Sequence, residues 1–317
     1  MRGGPARRGA LFLLLNAAVF VLSGPFILFY GPFPAIKALA VGAILTSRHP
    51  QAAEMFLSAE QARAAVAAYG GGSVVVEPVL KERESVFLDQ ANGLRIESVS
   101  GRSFRGRVLL VADPLSVRVV MPSPPGQTLT GLTAEYGAAA GIGGGGYALA
   151  PDGSLQADGL VIADGRILRD TVGEAGAELI GLDAAGTMVL AHMTAAEALE
   201  RGVRQAVSFT PFLIRDGQAL ITGDGGWGLA PRAGIGQRAD GTVILVVLDG
   251  RQPGWSMGAT LRDLMNVFVE YGAVQAANLD GGSSAEMVYG AQVVNRLWNV
   301  LGERRLPTAW LVAAAVD

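Results

Sequence analysis

Val243-Ile244-Leu245-Val246-Val247-Leu248-Asp249-Gly250 is an unbroken apolar run that ends on an acid and a glycine. A short run of this kind, rich in β-branched residues and bounded by turn residues, reads as a buried strand. Working outward, Asp240-Gly241 lies between two apolar runs and reads as a hairpin turn, as does Asp164-Gly165. Other β-rich runs are Val74-Val75-Val76 and Val108-Leu109-Leu110-Val111, and Asp-Gly pairs recur at Asp152, Asp158, Asp216, Asp224, Asp249 and Asp280. On the far side, Thr260 with Asp263 opens a helix whose Leu261, Leu264, Met265, Phe268 and Tyr271 share one face, and Gly272 ends it. Thr194 with Glu197 caps a second helix, Ala195 to Arg201. The expected class is α+β: a mostly antiparallel β-sheet body with a few packed helices.

The helix from Thr260 leads into Val274 to Leu279, so a strand delivers Asn278 and Asp280 to one place. Gly281, Gly282, Ser283 and Ser284 follow, where backbone N–H groups can converge without Cβ obstruction, as an anion-binding nest requires. A plain hairpin turn needs no such donors, which sets Asp280 apart from Asp164 and Asp240.

Composition narrows the function. With 25 basic against 28 acidic residues and a net charge of -3, the chain offers no electrostatic footprint for nucleic acid. It has no cysteine, which removes thiolate nucleophiles, cysteine zinc sites and disulfides together. Only His49 and His192 are present, and His192 reads as a residue of a strand–helix junction. Gly254-Trp255-Ser256-Met257-Gly258 has the spacing of a nucleophile elbow, but no histidine follows it, so Ser256 reads as a hydrogen-bonding loop residue. Gly141 to Gly146 has dinucleotide-fingerprint spacing without a helix after it, so it reads as a glycine-rich loop against a ligand or another backbone.

Arg2, Arg7 and Arg8 precede an uncharged run from Gly9 to Ile36, whose most apolar part, Ala10 to Tyr30, is long enough to cross a bilayer. The charge bias predicts a single-pass anchor with a cytoplasmic N-terminus and an extracytoplasmic body, and an exported body without disulfides suits a bacterial cell membrane. A cleaved signal peptide is the alternative, opposed by the length of the run and the lack of a small-x-small site. Pro25, Pro32 and Pro34 end or kink the span, and Ala35 to Leu45 continues as an interfacial helix. Ser58 with Gln61 opens a further helix that stops at Gly70-Gly71-Gly72. The expected division is 1–34 for tip and anchor, 35–72 for a helical juxtamembrane segment and 73–317 for the body.

From Ser85 to Val316 the sequence resembles the phosphodiester glycosidase family, in particular its bacterial, exopolysaccharide-associated branch. Ile142 to Tyr147 resembles its glycine loop, Ser208 to Ile214 and Pro231 to Gln237 two of its strands, and Asp249-Gly250-Arg251 with Ser256 to Thr260 the loop that follows. Asn278 to Ser284 resembles its most diagnostic motif, and Gly302-Glu303-Arg304 with Pro307-Thr308 its closing segment. Three positions depart from the pattern: Gly143 replaces an asparagine, and Ala233 and Glu286 replace threonines.

The resemblance implies hydrolysis of the bond between a sugar's anomeric carbon and a phosphate. The leaving phosphate is already a stable anion, so the site needs charge stabilisation and a carboxylate more than a strong general acid. On this reading Arg232 grips the phosphate bidentately, the N–H groups around Gly281 to Ser284 supply the remaining charge, and Asp280 acts as base or nucleophile. Asn278 orients a sugar hydroxyl, and Glu286 and Asp249 are second choices for the carboxylate. Substrate contacts are also expected from Asp249, Arg251 and Ser256, and from Gly144, Gly145 and Tyr147. No cofactor is required, although a divalent cation shared by Asp280 and Asp249 is compatible with the sequence. The alternatives are a non-catalytic glycan- or phosphosugar-binding envelope protein, which accounts better for the three departures, and a glycosyl transferase on the same scaffold.

Overall fold

A computed structural model describes residues 93–123 and 126–314 continuously, with 23–45, 55–58, 60–62, 64–65 and the backbone of 82–89, and residues 16 and 19. Most of the expected membrane span, the glycine joint at 70–72 and the strand at 74–76 lie outside the described residues.

The Val243–Leu248 run is a central strand of an eight-stranded antiparallel sheet. It lies between Arg105–Val111 and Arg232–Arg238, and the sheet continues through Ala273–Leu279 and Phe212–Arg215. Its continuous apolarity follows from burial on both faces. Leu245 and Val247 enter the central core with Ile142, Ile180 and Trp310, whereas Ile244, Val246 and Leu248 meet Leu264, Met265 and Phe268 of helix Leu261–Glu270. On the neighbouring strand, Gly234 and Gly236 give that helix its close seat. A Cβ at either would stand 2.8 Å from the Phe268 ring, so bare backbone is the surface on which the aromatic lies.

Two five-stranded antiparallel sheets close the other sides of the central core. One is built around Ala177–Asp183 and Val203–Ser208, the other around Ala138–Gly143 and Ala309–Ala313. The α+β class is thus as expected. Both inner capping boxes are present, Thr194 with Glu197 and Thr260 with Asp263, and so is the pair Ser58 and Gln61. Asp164 and Gly165 both take positive φ, 51° and 73°, the backbone of a tight hairpin.

The glycine run 141–146 differs from the expected loop. Gly141 and Gly143 lie within the Ala138–Gly143 strand, and only the residues after them turn away. The close approach at Gly145 is to backbone: a Cβ there would stand 2.7 Å from the Ser208 carbonyl.

Near the N-terminus a helix passes through Pro25 to Tyr30, breaks at 31–33 and resumes as Pro34–Leu45. Among the described residues no helix is long and apolar enough to cross a membrane. The Pro34–Leu45 helix docks on the body, where Val41 packs with Phe29, Leu57 and Leu229.

Candidate active site

The Ala273–Leu279 strand lies between Arg232–Arg238 and Phe212–Arg215, so its end is crowded on both sides. Asn278 and Asp280, two residues apart, point the same way. Asn278 Nδ2 donates to the Thr210 carbonyl at 3.0 Å, while its buried Oδ1 has no protein partner. Asn278 lines a cavity of about 310 Å³ together with Asp280, Arg232, Arg251, Arg304, Tyr147, Phe209, Trp227, Ala230, Gly281, Gly282 and Ser283. A second cavity, of about 380 Å³, is lined by Gly146, Asp158, Glu178, Ser208 and Thr210, and shares Tyr147, Phe209 and Asp280 with the first. Asp280 therefore stands where an arginine-lined cavity meets one lined by acids and hydroxyls.

The positive charge is held by backbone. Arg232 is 3% exposed. Its Nε donates to the Ala259 carbonyl at 3.1 Å, and its Nη2 to the carbonyls of Trp227 at 3.1 Å and Gly228 at 2.6 Å. Those bonds occupy the edge of the guanidinium that would make a side-on bidentate grip, which corrects that part of the expectation; Nη1 is the nitrogen left for the cavity. Burial, and the nearby charge of Arg251, push the Arg232 guanidinium down to about 9. Burial likewise lowers that of Arg251. Two cations that repel each other in a desolvated wall favour an anion between them.

Arg304 completes the cationic wall. Its guanidinium lies 4.1 Å over the Tyr147 ring, and Nη1 donates to Ser283 Oγ at 3.1 Å and Ser284 Oγ at 3.3 Å. The lining is also aromatic, with Phe209 and Trp227 edge to face at 6.5 Å and the Arg232 guanidinium 5.8 Å from the Trp227 ring centre.

Desolvation pushes the Asp280 carboxyl up to about 6, opposed by the Ser284 hydroxyl, by Arg304 and by the Gly281 amide. Two of the four amides of the expected nest are turned to backbone. Gly282–Ser284 is a 3-10 turn in which Gly282 N–H donates to the Pro231 carbonyl at 2.9 Å and Ser284 N–H to the Gly281 carbonyl at 3.0 Å. The first ties the turn to the neighbouring strand and the second closes it, while the Gly281 amide is on the Asp280 carboxylate and the arginines line the cavity beside them.

Of the expected site residues, the structure brings together Arg232, Arg251, Asn278, Asp280, Gly281, Gly282, Ser283 and Tyr147. Six others border neither cavity. Asp249 is a structural hub: Oδ2 accepts from Trp255 Nε1 at 2.8 Å, and Oδ1 from Asn295 Nδ2 at 3.2 Å and Arg296 N–H at 3.1 Å. Its oxygens are thus engaged away from Asp280, an arrangement that does not fit a shared cation. Among the described residues no group of three or more His, Cys, Asp or Glu is placed to hold a metal ion. Ser256 Oγ donates to the Asp249 carbonyl at 2.6 Å and accepts from Arg105 N–H at 3.2 Å, as its loop reading requires. Ser284 is buried behind Asp280. Gly144 and Gly145 tie the glycine strand to Thr308, with Gly144 N–H on its carbonyl at 3.0 Å and Gly145 N–H on its Oγ1 at 3.1 Å.

Glu286 is fully buried, and neither carboxylate oxygen has a hydrogen bond of good geometry, although the Leu129 and Arg304 backbone amides lie close enough to oppose the effect of burial. Burial first, and then the neighbouring Glu303, push it up to about 8, so it is a protonated core residue at neutral pH rather than a catalytic carboxylate. Sequence reasoning missed Arg304, Trp227, Phe209, Asp158 and Glu178. Phe209 and Arg304 fall inside quoted motifs, but nothing in their spacing distinguishes a cavity wall from a surface.

Residues 136–313, more than half of the chain, match the phosphodiester glycosidase family, and every residue lining the two cavities lies inside that match. A prophage-derived protein of Bacillus subtilis, YomE, is 30% identical over 148 residues, which are 44% of this chain and 23% of that protein. The aligned part thus spans about a quarter of that relative. The catalytic domain of zebrafish N-acetylglucosamine-1-phosphodiester alpha-N-acetylglucosaminidase, auto-inhibited by its pro-peptide, superposes with a TM-score of 0.58 at 21% identity, over 78% of this chain and 86% of that one. A hypothetical protein from Synechocystis superposes at 0.53 and 15% identity, over 73% and 63%. At these identities the two superpositions speak to the fold alone. The family match and the fold agree, and the chain belongs to the phosphodiester glycosidase family.

Proposed function

We propose that this chain is a membrane-anchored, extracytoplasmic hydrolase that cleaves the bond between a sugar's anomeric carbon and a phosphodiester in an envelope or exopolysaccharide glycan. The products are the free sugar and a phosphomonoester. Membership of the family supports the reaction class, and the zebrafish enzyme with the same fold is named for an N-acetylglucosamine-1-phosphodiester. The observation that carries the reading is the position of Asp280, on the wall shared by an arginine-lined cavity and a hydroxyl-rich one.

In this arrangement the phosphate lies against Arg232 Nη1, Arg251 and Arg304, and the sugar extends into the second cavity, with Phe209 and Tyr147 at the junction. Asp280, a carboxylate above about pH 6, attacks the anomeric carbon or takes the proton of an attacking water. Bond breaking moves negative charge onto phosphate oxygens that already face guanidinium groups, so charge stabilisation is largest in the transition state. The unpartnered Oδ1 of Asn278 is an acceptor for a sugar hydroxyl.

The test is incubation of the purified chain with a sugar-1-phosphodiester, assaying free reducing sugar and phosphomonoester together. Equal release of both supports hydrolysis. Tight binding with no release would leave the glycan-binding alternative, and transfer of the sugar to an added acceptor glycan would identify a transferase.

A further inference from the structure

Val300 and Leu301 are 96% and 90% exposed, more than any other large apolar side chain among the described residues. They form the tip of a turn that Asn299 and Gly302 build: Gly302 N–H donates to the Asn299 carbonyl at 3.1 Å, and Leu301 N–H to Asn299 Oδ1 at 3.2 Å. Tight-turn tips are ordinarily polar or glycine, because nothing there can bury an aliphatic group. Here an ordinary turn frame holds two aliphatic groups outward.

The surface behind the tip is of one kind. Trp298 is 43% exposed, and the Arg251 guanidinium lies 5.1 Å from its ring centre. Trp255, 38% exposed, is flanked by Arg105 at 4.6 Å and Arg296 at 5.4 Å. Gln252 Nε2 donates to the Arg296 carbonyl at 2.9 Å, which joins the two loops into one face. Half-exposed tryptophans with arginines on their rings, behind protruding aliphatic groups, match the layers of a bilayer interface: acyl boundary, headgroup region and anionic phosphates.

We propose that the face formed by Trp255, Trp298, Val300 and Leu301 is a membrane contact, seating on a bilayer that carries anionic phospholipid. Val300 and Leu301 enter the acyl boundary, the tryptophans lie among the headgroups, and Arg105 and Arg296 meet lipid phosphates. The contact stands on this surface alone and is separate from the N-terminal apolar run. Because Arg251 both stacks on Trp298 and lines the arginine cavity, the cavity opens beside the headgroup layer, where a lipid-borne sugar phosphate would be presented; that consequence rests on the proposed hydrolysis, whereas the contact does not.

The chain has no cysteine, so Val300→Cys in the full chain carries a unique thiol for an environment-sensitive fluorophore. Vesicles of phosphatidylcholine, with and without phosphatidylglycerol, provide the bilayer, and flotation reports association of the chain. We expect blue-shifted emission at position 300 that doxyl-labelled lipids quench, stronger with phosphatidylglycerol, and aqueous emission from the same probe at Glu200→Cys on the exposed side of helix Ala195–Glu200. Aqueous emission at position 300 on floated chain would overturn the proposal, as would insertion indifferent to phosphatidylglycerol. A concentration-dependent blue shift without lipid would assign the face to contact between copies and overturn it as well.

Discussion

Arg304 lies flat over Tyr147, 4.1 Å from the ring centre, while its Nη1 reaches Ser283 Oγ at 3.1 Å. The closing segment, the short strand Tyr147–Leu149 and the turn after Asp280 are thereby tied together. A lysine ammonium is a compact point charge and cannot lie flat over the ring in this way. Arg304→Lys should raise KM for a sugar phosphodiester about 10- to 100-fold, the factor given by about 1.5–3 kcal/mol of a charge-assisted hydrogen bond. Steady-state kinetics checks this, and an unchanged KM would remove Arg304 from the phosphate wall.

Arg232 holds the carbonyls of Ala259, Trp227 and Gly228 simultaneously. Arg232→Lys leaves at least one of them buried without a donor, which costs about 1–3 kcal/mol of stability. Denaturant titration should show the loss together with weaker substrate binding. Loss of binding at full stability would mean that these carbonyls find other donors.

The folded-state value of about 6 for Asp280 sets the expected pH profile. The ionised form does the chemistry, so log kcat/KM should climb with unit slope below about pH 6 and level above it. A profile flat down to pH 5 would assign the titrating carboxylate elsewhere.

Glu286, which lines neither cavity, offers a stability test. Its folded-state value, about 8, lies above the ordinary 4.5, so the folded chain binds more protons than the unfolded one between those values. Stability therefore falls as pH rises through that window. Glu286→Gln removes the titration, and its thermal midpoint should gain on wild type progressively from pH 5 to pH 8. Parallel pH curves for the two proteins would show that Glu286 finds a partner when ionised.

The fold was legible wherever one residue type answers one physical need. The Val243–Leu248 run read as a strand and is one, and the Thr260 and Thr194 boxes marked helix starts that the structure retains. The site was half legible. Asp280 and Asn278 stood out because a strand delivered them to a donor-rich turn, and both line the arginine cavity. What sequence could not distinguish was a polar group facing a ligand from one facing backbone. Asp249 and Ser256 sit in a motif as suggestive as that of Asp280, yet their partners are Trp255 of the same loop and Asn295, Arg296 and Arg105, brought in from distant segments. Arg304 was invisible as a site residue for the converse reason, since its place depends on Tyr147, far away in the chain.

The most direct measurement is turnover of a sugar-1-phosphodiester by Asp280→Asn beside wild type, with the thermal midpoint of each taken at neutral pH. Removing a desolvated charge should leave the variant folded and more stable by about 1–3 kcal/mol, while release of reducing sugar falls by about 10²–10⁴-fold or more. A folded Asp280→Asn chain that turns over near the wild-type rate would contradict the account.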